Sequence, residues 1–263
     1  MGGIKPWIPG FLVALVAAAM LLNGPIAQPP HYHQFADSRS VLGVPNAADV
    51  LTNLGFALVG LWGFVALRHR WRHPLLASSR QGYRLFLAAL VLTALGSGFY
   101  HLAPDDGRLL WDRLSIALAC AGLLAGAHAD THASPQPRWI PAALSALAVL
   151  SVLWWPLTAH FGADDLRPYL LMQGAPLVLI PLWQAIHGSP RADRLAFAIA
   201  IVLYVLAKVA ELNDRAVFDA LGFASGHTIK HLLAVAASAV LTADLVRRAR
   251  VSPPPAPPAV DPH

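Results

Sequence analysis

The chain has 263 residues, 56% of them apolar and 13% charged, where a soluble domain carries about a quarter charged. That composition excludes a soluble globular domain; apolar runs of about 20 residues recur along the chain, each long enough to cross a bilayer as a helix. The net charge of +5 then records orientation rather than nucleic-acid binding, because Lys and Arg stay on the cytoplasmic side of a membrane.

The first apolar run, about residues 7 to 27, follows Lys5 and has the outline of a signal peptide. Pro25, two residues before Ala27, disfavours cleavage there, and the run is long enough to remain as a helix. Seven more runs follow, at about residues 49 to 67, 84 to 102, 109 to 128, 139 to 157, 168 to 187, 194 to 212 and 227 to 246. The connections between them are short and rich in Pro, Gly and Asp, so consecutive helices must pack as antiparallel neighbours. The expected fold is all-α: a polytopic membrane helical bundle with a seven-helix core over residues 31–248 and an extra N-terminal helix within residues 1–30. Residues 249–263 form a tail with five prolines between Pro253 and Pro258, expected to be extended and solvated.

Sorting Lys and Arg by alternate connections puts twelve on one side, Arg68, Arg80 and Arg248 among them, and five on the other. Both termini are therefore expected in the cytoplasm, with Asp105, Asp106, Asp164 and Asp165 outside. The single cysteine, Cys120, lies in an apolar run and excludes an intramolecular disulfide framework and any cysteine-based metal site.

An ionisable side chain near the middle of a span costs roughly 3 kcal/mol or more, so it needs a partner or a task. Such residues are Ser97 and His101 late in the third run, Asp112 early in the fourth, Lys208 and Glu211 late in the seventh, and His227, Lys230 and His231 early in the eighth. All fall near the external side, which puts polar groups from four helices at one depth. His227 and His231 are four apart, on one helix face, at a spacing that one metal ion can bridge. The turn after His101 returns Asp112 to about the same depth. Three imidazoles with an open fourth position describe a catalytic zinc site.

Simpler readings exist for each residue. His227 and His231 could serve helix packing, Asp112 could pair with Arg113 or Arg108, and Ser97 could be a small residue beside Gly96 and Gly98. Lys208, Glu211 and Lys230 read as snorkelling or paired. The pairs His69/His73 and His128/His132 share the four-residue spacing but lie on the cytoplasmic side, with no third histidine expected at their depth. A non-enzymatic alternative is a haem-binding electron carrier or a zinc-gated receptor or transporter.

Three segments, Gly96-Ser97-Gly98-Phe99-Tyr100-His101, Trp111-Asp112-Arg113-Leu114 and Gly226-His227-Thr228-Ile229-Lys230-His231, together resemble the alkaline ceramidases. These belong to a superfamily of seven-helix membrane zinc hydrolases that includes the adiponectin and progestin receptors, and the likeness is to a bacterial-type member. Asp49 to Phe56, with Thr52-Asn53, looks like that family's first core helix, so the resemblance spans about residues 46 to 246. It implies that His101, His227 and His231 bind zinc, with Ser97 and Asp112 beside it. The substrate would be a membrane lipid, an N-acyl sphingoid base cleaved at its linear amide C–N bond, and the setting a bacterial inner membrane with the site toward the periplasm. The family's acidic, calcium-binding stretch is not matched, since the region from Tyr32 to Asp49 has only Asp37 and Asp49 as carboxylates, which puts calcium in doubt. In this chemistry zinc supplies an activated water and a polarised carbonyl, Asp112 moves the proton, and Ser97 donates a hydrogen bond to the reacting oxygen.

Overall fold

The computed structural model describes residues 5–132, 137 and 139–251; the proline-rich tail from residue 252 onward lies outside them. Among the described residues the fold is all-α, with one isolated backbone pairing between Val41 and Val44. After a short 3-10 turn come α1 (Ile8–Asn23), α2 (Ala47–Thr52), α3 (Leu54–Leu67), α4 (Arg80–Leu102), α5 (Asp106–His132) and α6 (Trp139–His160). The chain continues as α7 (Arg167–Ile186), α8 (Arg191–Leu212), α9 (Asp214–Leu221) and α10 (Gly226–Arg248). Counting α2 and α3 as one unit, seven helices are long and apolar enough to cross a membrane. The protein is an integral membrane protein.

Each of the eight apolar runs is helical, but the first is unlike the rest. At 16 residues, α1 rises about 24 Å, less than the roughly 30 Å of a hydrocarbon core, and none of its residues is buried. Its end is tied to the start of α7, where Arg167 donates to the Met20 carbonyl at 3.1 Å and the Leu166 amide to the Ile26 carbonyl at 2.8 Å. The anchor is Asp165. Burial opposes its ionisation, but hydrogen bonds from Arg167 and Trp154 outweigh this and hold its carboxyl well below the usual carboxylate range.

Between α2 and α3 the helical ladder is interrupted at Asn53, whose side-chain amide donates to the Asp49 carbonyl at 2.7 Å. Such a local bond competes with the backbone ladder, and here it fixes Asn53 facing the bundle. The α4–α5 pair forms the spine of the fold. A Cβ on Gly122 would collide with the Phe86 backbone, so the small residue permits a close helix crossing of the kind that membrane bundles use.

Two large apolar clusters fill the bundle, and a third, smaller one gathers Tyr100, Leu109, Trp155 and Leu166. One of the large clusters joins α3, α4 and α10 around Phe86, Leu87 and Leu245, and the other joins α5 to α8 around Ala117, Val152 and Ile180. Leu123 and Leu241 pack against both. At the basic end Arg248 pairs with Asp130 at 2.6 Å, Tyr83 donates to the same carboxylate at 2.5 Å, and Arg247 pairs with Asp244 at 2.7 Å. At the opposite end residues 24–46 cross the bundle as a strap. Gln28 links this strap to Arg113 at 2.6 Å and to Asp106 at 3.0 Å, and Asp214 accepts from the Ala36 amide at 2.8 Å. Within the strap Arg39 grips Asp37 with two bonds of 2.7 Å, and these hold the Asp37 carboxyl below its ordinary range.

Candidate metal centre

The strap end of the bundle collects the polar residues singled out above. Gly96 allows α4 and α5 to meet closely there, because a Cβ on it would lie 2.6 Å from the Trp111 carbonyl. Helix α10 starts at the same level: Ser225 caps it by accepting from the Thr228 amide at 3.0 Å, as N-cap serines do. Asp214, at the start of α9, accepts from the His227 amide at 2.8 Å. His227 is thereby fixed in the first turn of α10, with His231 one turn further on.

These two meet His101 from the end of α4. Ring centroids are 5.0 Å apart for His101 and His227, 5.0 Å for His101 and His231, and 4.8 Å for His227 and His231. One ring nitrogen of each lies within 4.8 Å of the others, so a shift of at most about 1 Å per ring brings them to zinc–nitrogen distances of about 2.0–2.1 Å. All three rings are buried. Among the described residues this is the only trio of His, Cys, Asp or Glu side chains close enough to share an ion.

Two details show that the donors fit a metal. The Nδ1 atom of His101 is buried and has no hydrogen-bond partner, an unsatisfied state that buried polar atoms rarely keep. The Thr52 hydroxyl donates to the Ala48 carbonyl at 2.8 Å, so in its 3.1 Å contact with Nδ1 of His231 it must accept. That contact puts the imidazole proton on Nδ1 and leaves the Nε2 lone pair for an ion, the arrangement that ligand-supporting partners usually enforce. The three histidines can therefore hold a metal ion.

Beside them Asp112 and Ser97 are buried, and both line the head of one cavity. Arg113 does not pair with Asp112; it bonds Gln28 and lies 4.2 Å over the Trp155 ring. Glu211 bridges Lys208 and Lys230 at 2.7 Å each, and Lys230 stands 3.3 Å from Nε2 of His227. The reading of these three as paired groups is correct.

A cavity of about 1130 Å³, counting its open mouth, runs from this polar head into the bundle. Its outer end carries Asn53, Ser97, Asp112, Lys230 and His231, and its deeper wall is formed by side chains such as Phe86, Leu90, Ile116 and Leu241. Of the three imidazoles only that of His231 lines it. On the opposite side Phe35 of the strap covers His101 and His227, its ring centroid 4.7 and 4.6 Å from theirs.

The sequence did not reveal this cover, nor α9 and its Asp214. It also gave no role to Asp49, which is fully buried, accepts from Thr228 at 2.7 Å through Oδ1, and keeps Oδ2 unpaired. One expectation about the other end of the bundle is overturned: His128 and His132, stacked at 3.9 Å, do have a third histidine beside them. His187 follows α7 directly and its ring sits 4.3 Å from that of His132. His73, in contrast, binds the Val251 carbonyl at 3.0 Å. Comparison with protein-family models, with curated proteins and with solved structures finds no match to this chain.

Proposed function

We propose that the protein is a zinc-dependent intramembrane amide hydrolase that cleaves an N-acyl sphingoid base to a fatty acid and a free amine. The observation that carries this reading is the buried His101–His227–His231 cluster beside the buried Ser97 and Asp112 at the head of an apolar cavity. Zinc at the three histidines would supply an activated water and a polarised carbonyl. Asp112 has the position to take a proton at a carboxylate oxygen and return it to the leaving nitrogen, while Ser97, at the same cavity head, can donate a hydrogen bond to the reacting oxygen. Lys230, held by Glu211, brings positive charge to the same end. Phe35 shields the imidazoles from bulk water.

The apolar wall suits a lipid chain, since binding cavities are mostly apolar with a few convergent polar groups. Helices α7 and α8 both line the cavity yet touch each other sparsely, which favours a substrate that enters sideways from the membrane. A haem carrier finds no support in three imidazoles converging on one point. The test is to incubate the purified protein with a panel of N-acyl lipids and detect released fatty acid. Zinc-dependent release from ceramide is expected. Zinc-dependent hydrolysis of some other lipid only would remove the substrate assignment, and no hydrolysis of any lipid would remove the enzyme.

We further place both termini in the cytoplasm and the metal centre toward the periplasmic face of a bacterial inner membrane, on the twelve-to-five distribution of basic residues. Cysteines introduced by Ala77→Cys, before α4, and Gly107→Cys, in the first turn of α5, occupy exposed positions at opposite ends. An impermeant thiol reagent should label only the second in intact spheroplasts; the reverse pattern would invert the topology.

A further inference from the structure

The large cavity ends on three side chains, Leu123 of α5, Phe197 of α8 and Leu241 of α10. The same three form a wall of a second, smaller cavity, of about 480 Å³ counting its open mouth, whose other walls include Tyr83, Asp130, Asp193 and Arg248. One layer of apolar side chains thus separates the chamber below the histidines from a polar chamber at the basic end. We propose that Leu123, Phe197 and Leu241 are a septum that sets the length of acyl chain the site accepts, making the substrate a lipid with a medium-length acyl chain. This rests on the hydrolase reading above.

The depth can be read along several helices independently. From Asp112 to Leu123 on α5, from His231 to Leu241 on α10 and from Lys208 to Phe197 on α8 the separation is ten or eleven residues, which is about 15–17 Å at 1.5 Å per residue. An extended hydrocarbon chain with bonds of about 1.5 Å advances about 1.25 Å per carbon, so the chamber takes about 12 or 13 carbons from the polar head to the septum. Agreement among three helices means that the floor is level.

Two features make the floor a stop. Leu123 and Leu241 pack against the two large apolar clusters at once, so neither can swing away without opening a void in a close-packed core. Beneath them the Arg248–Asp130 pair and the Tyr83 hydroxyl offer an arriving methyl group polar surface, where burial brings no hydrophobic gain. Phe197 completes the layer from α8, where it is one of the few buried side chains.

The test uses the purified full-length protein with N-acyl sphingoid bases of graded acyl length, and in parallel the free fatty acids of the same lengths, whose binding is followed by thermal shift. In Phe197→Ala the longest chain that is cleaved and bound should increase by about three carbons, the reach of the lost ring. The ratio of long-chain to short-chain kcat/KM should rise about tenfold or more, since one methylene at a pocket wall is worth at least that factor. Leu241→Ala should shift the limit in the same direction, and Phe197→Trp should lower it. If one variant fails to fold, the other two still decide. Unchanged length limits in all folded variants, for cleavage and for binding, would overturn the septum. If no lipid is cleaved but the binding limit moves as expected, the septum stands and the hydrolase reading falls.

Discussion

Replacing His101, His227 or His231 with Ala is expected to reduce bound zinc from one ion per chain to a small residue, as read by elemental analysis of the purified protein. The affinity loss should exceed about 100-fold, because removing even a partner of a ligand typically costs 10–100-fold and each of these variants removes a ligand outright. Thr52→Val calibrates that scale. It keeps the shape of the side chain but removes the hydroxyl that accepts from Nδ1 of His231 at 3.1 Å, so it should fall within the smaller range. His128→Ala serves as the opposite control, since His128 stacks on His132 at the other end of the bundle. If the three site variants keep stoichiometric zinc and His128→Ala loses it, the metal centre has been placed at the wrong end.

The sequence carried the membrane-spanning pattern because apolar runs long enough to span impose helices whatever their neighbours are. It also carried the three histidines and Asp112, since each polar residue in such a run has a depth that can be counted from the nearest turn. The strap could not be read in this way. Residues 24–46 show no helical or strand period, and their course is set by bonds to residues remote in the chain: Gln28 to Arg113, His33 to Tyr100 at 2.9 Å, Ala36 to Asp214. Phe35 gained its place over the imidazoles only through those anchors. His187 was missed for a related reason, because it follows α7 in a turn and counting within runs gives it no depth. For Ser97 and Asp112 the counted depth brings both to the head of one cavity, where Gly96 lets α4 and α5 approach closely.

Asp112→Asn should retain zinc and fold normally while losing turnover by about 10²–10⁴-fold, the usual worth of a positioned acid–base group. The amide has the shape of the carboxylate, so neither packing nor the neighbouring histidines need move. What disappears is the capacity to take a proton and return it to the leaving nitrogen. The loss should therefore fall on kcat and on kcat/KM together, as for an interaction made only in the transition state. Ser97→Ala removes a hydrogen-bond donor at the cavity head and leaves the base, so its effect on kcat should be smaller. An Asp112→Asn protein that turns over lipid at the wild-type rate under saturation would make Asp112 a structural residue, and the proton would then have to be moved by another group at the cavity head, where Lys230 stands 3.3 Å from His227.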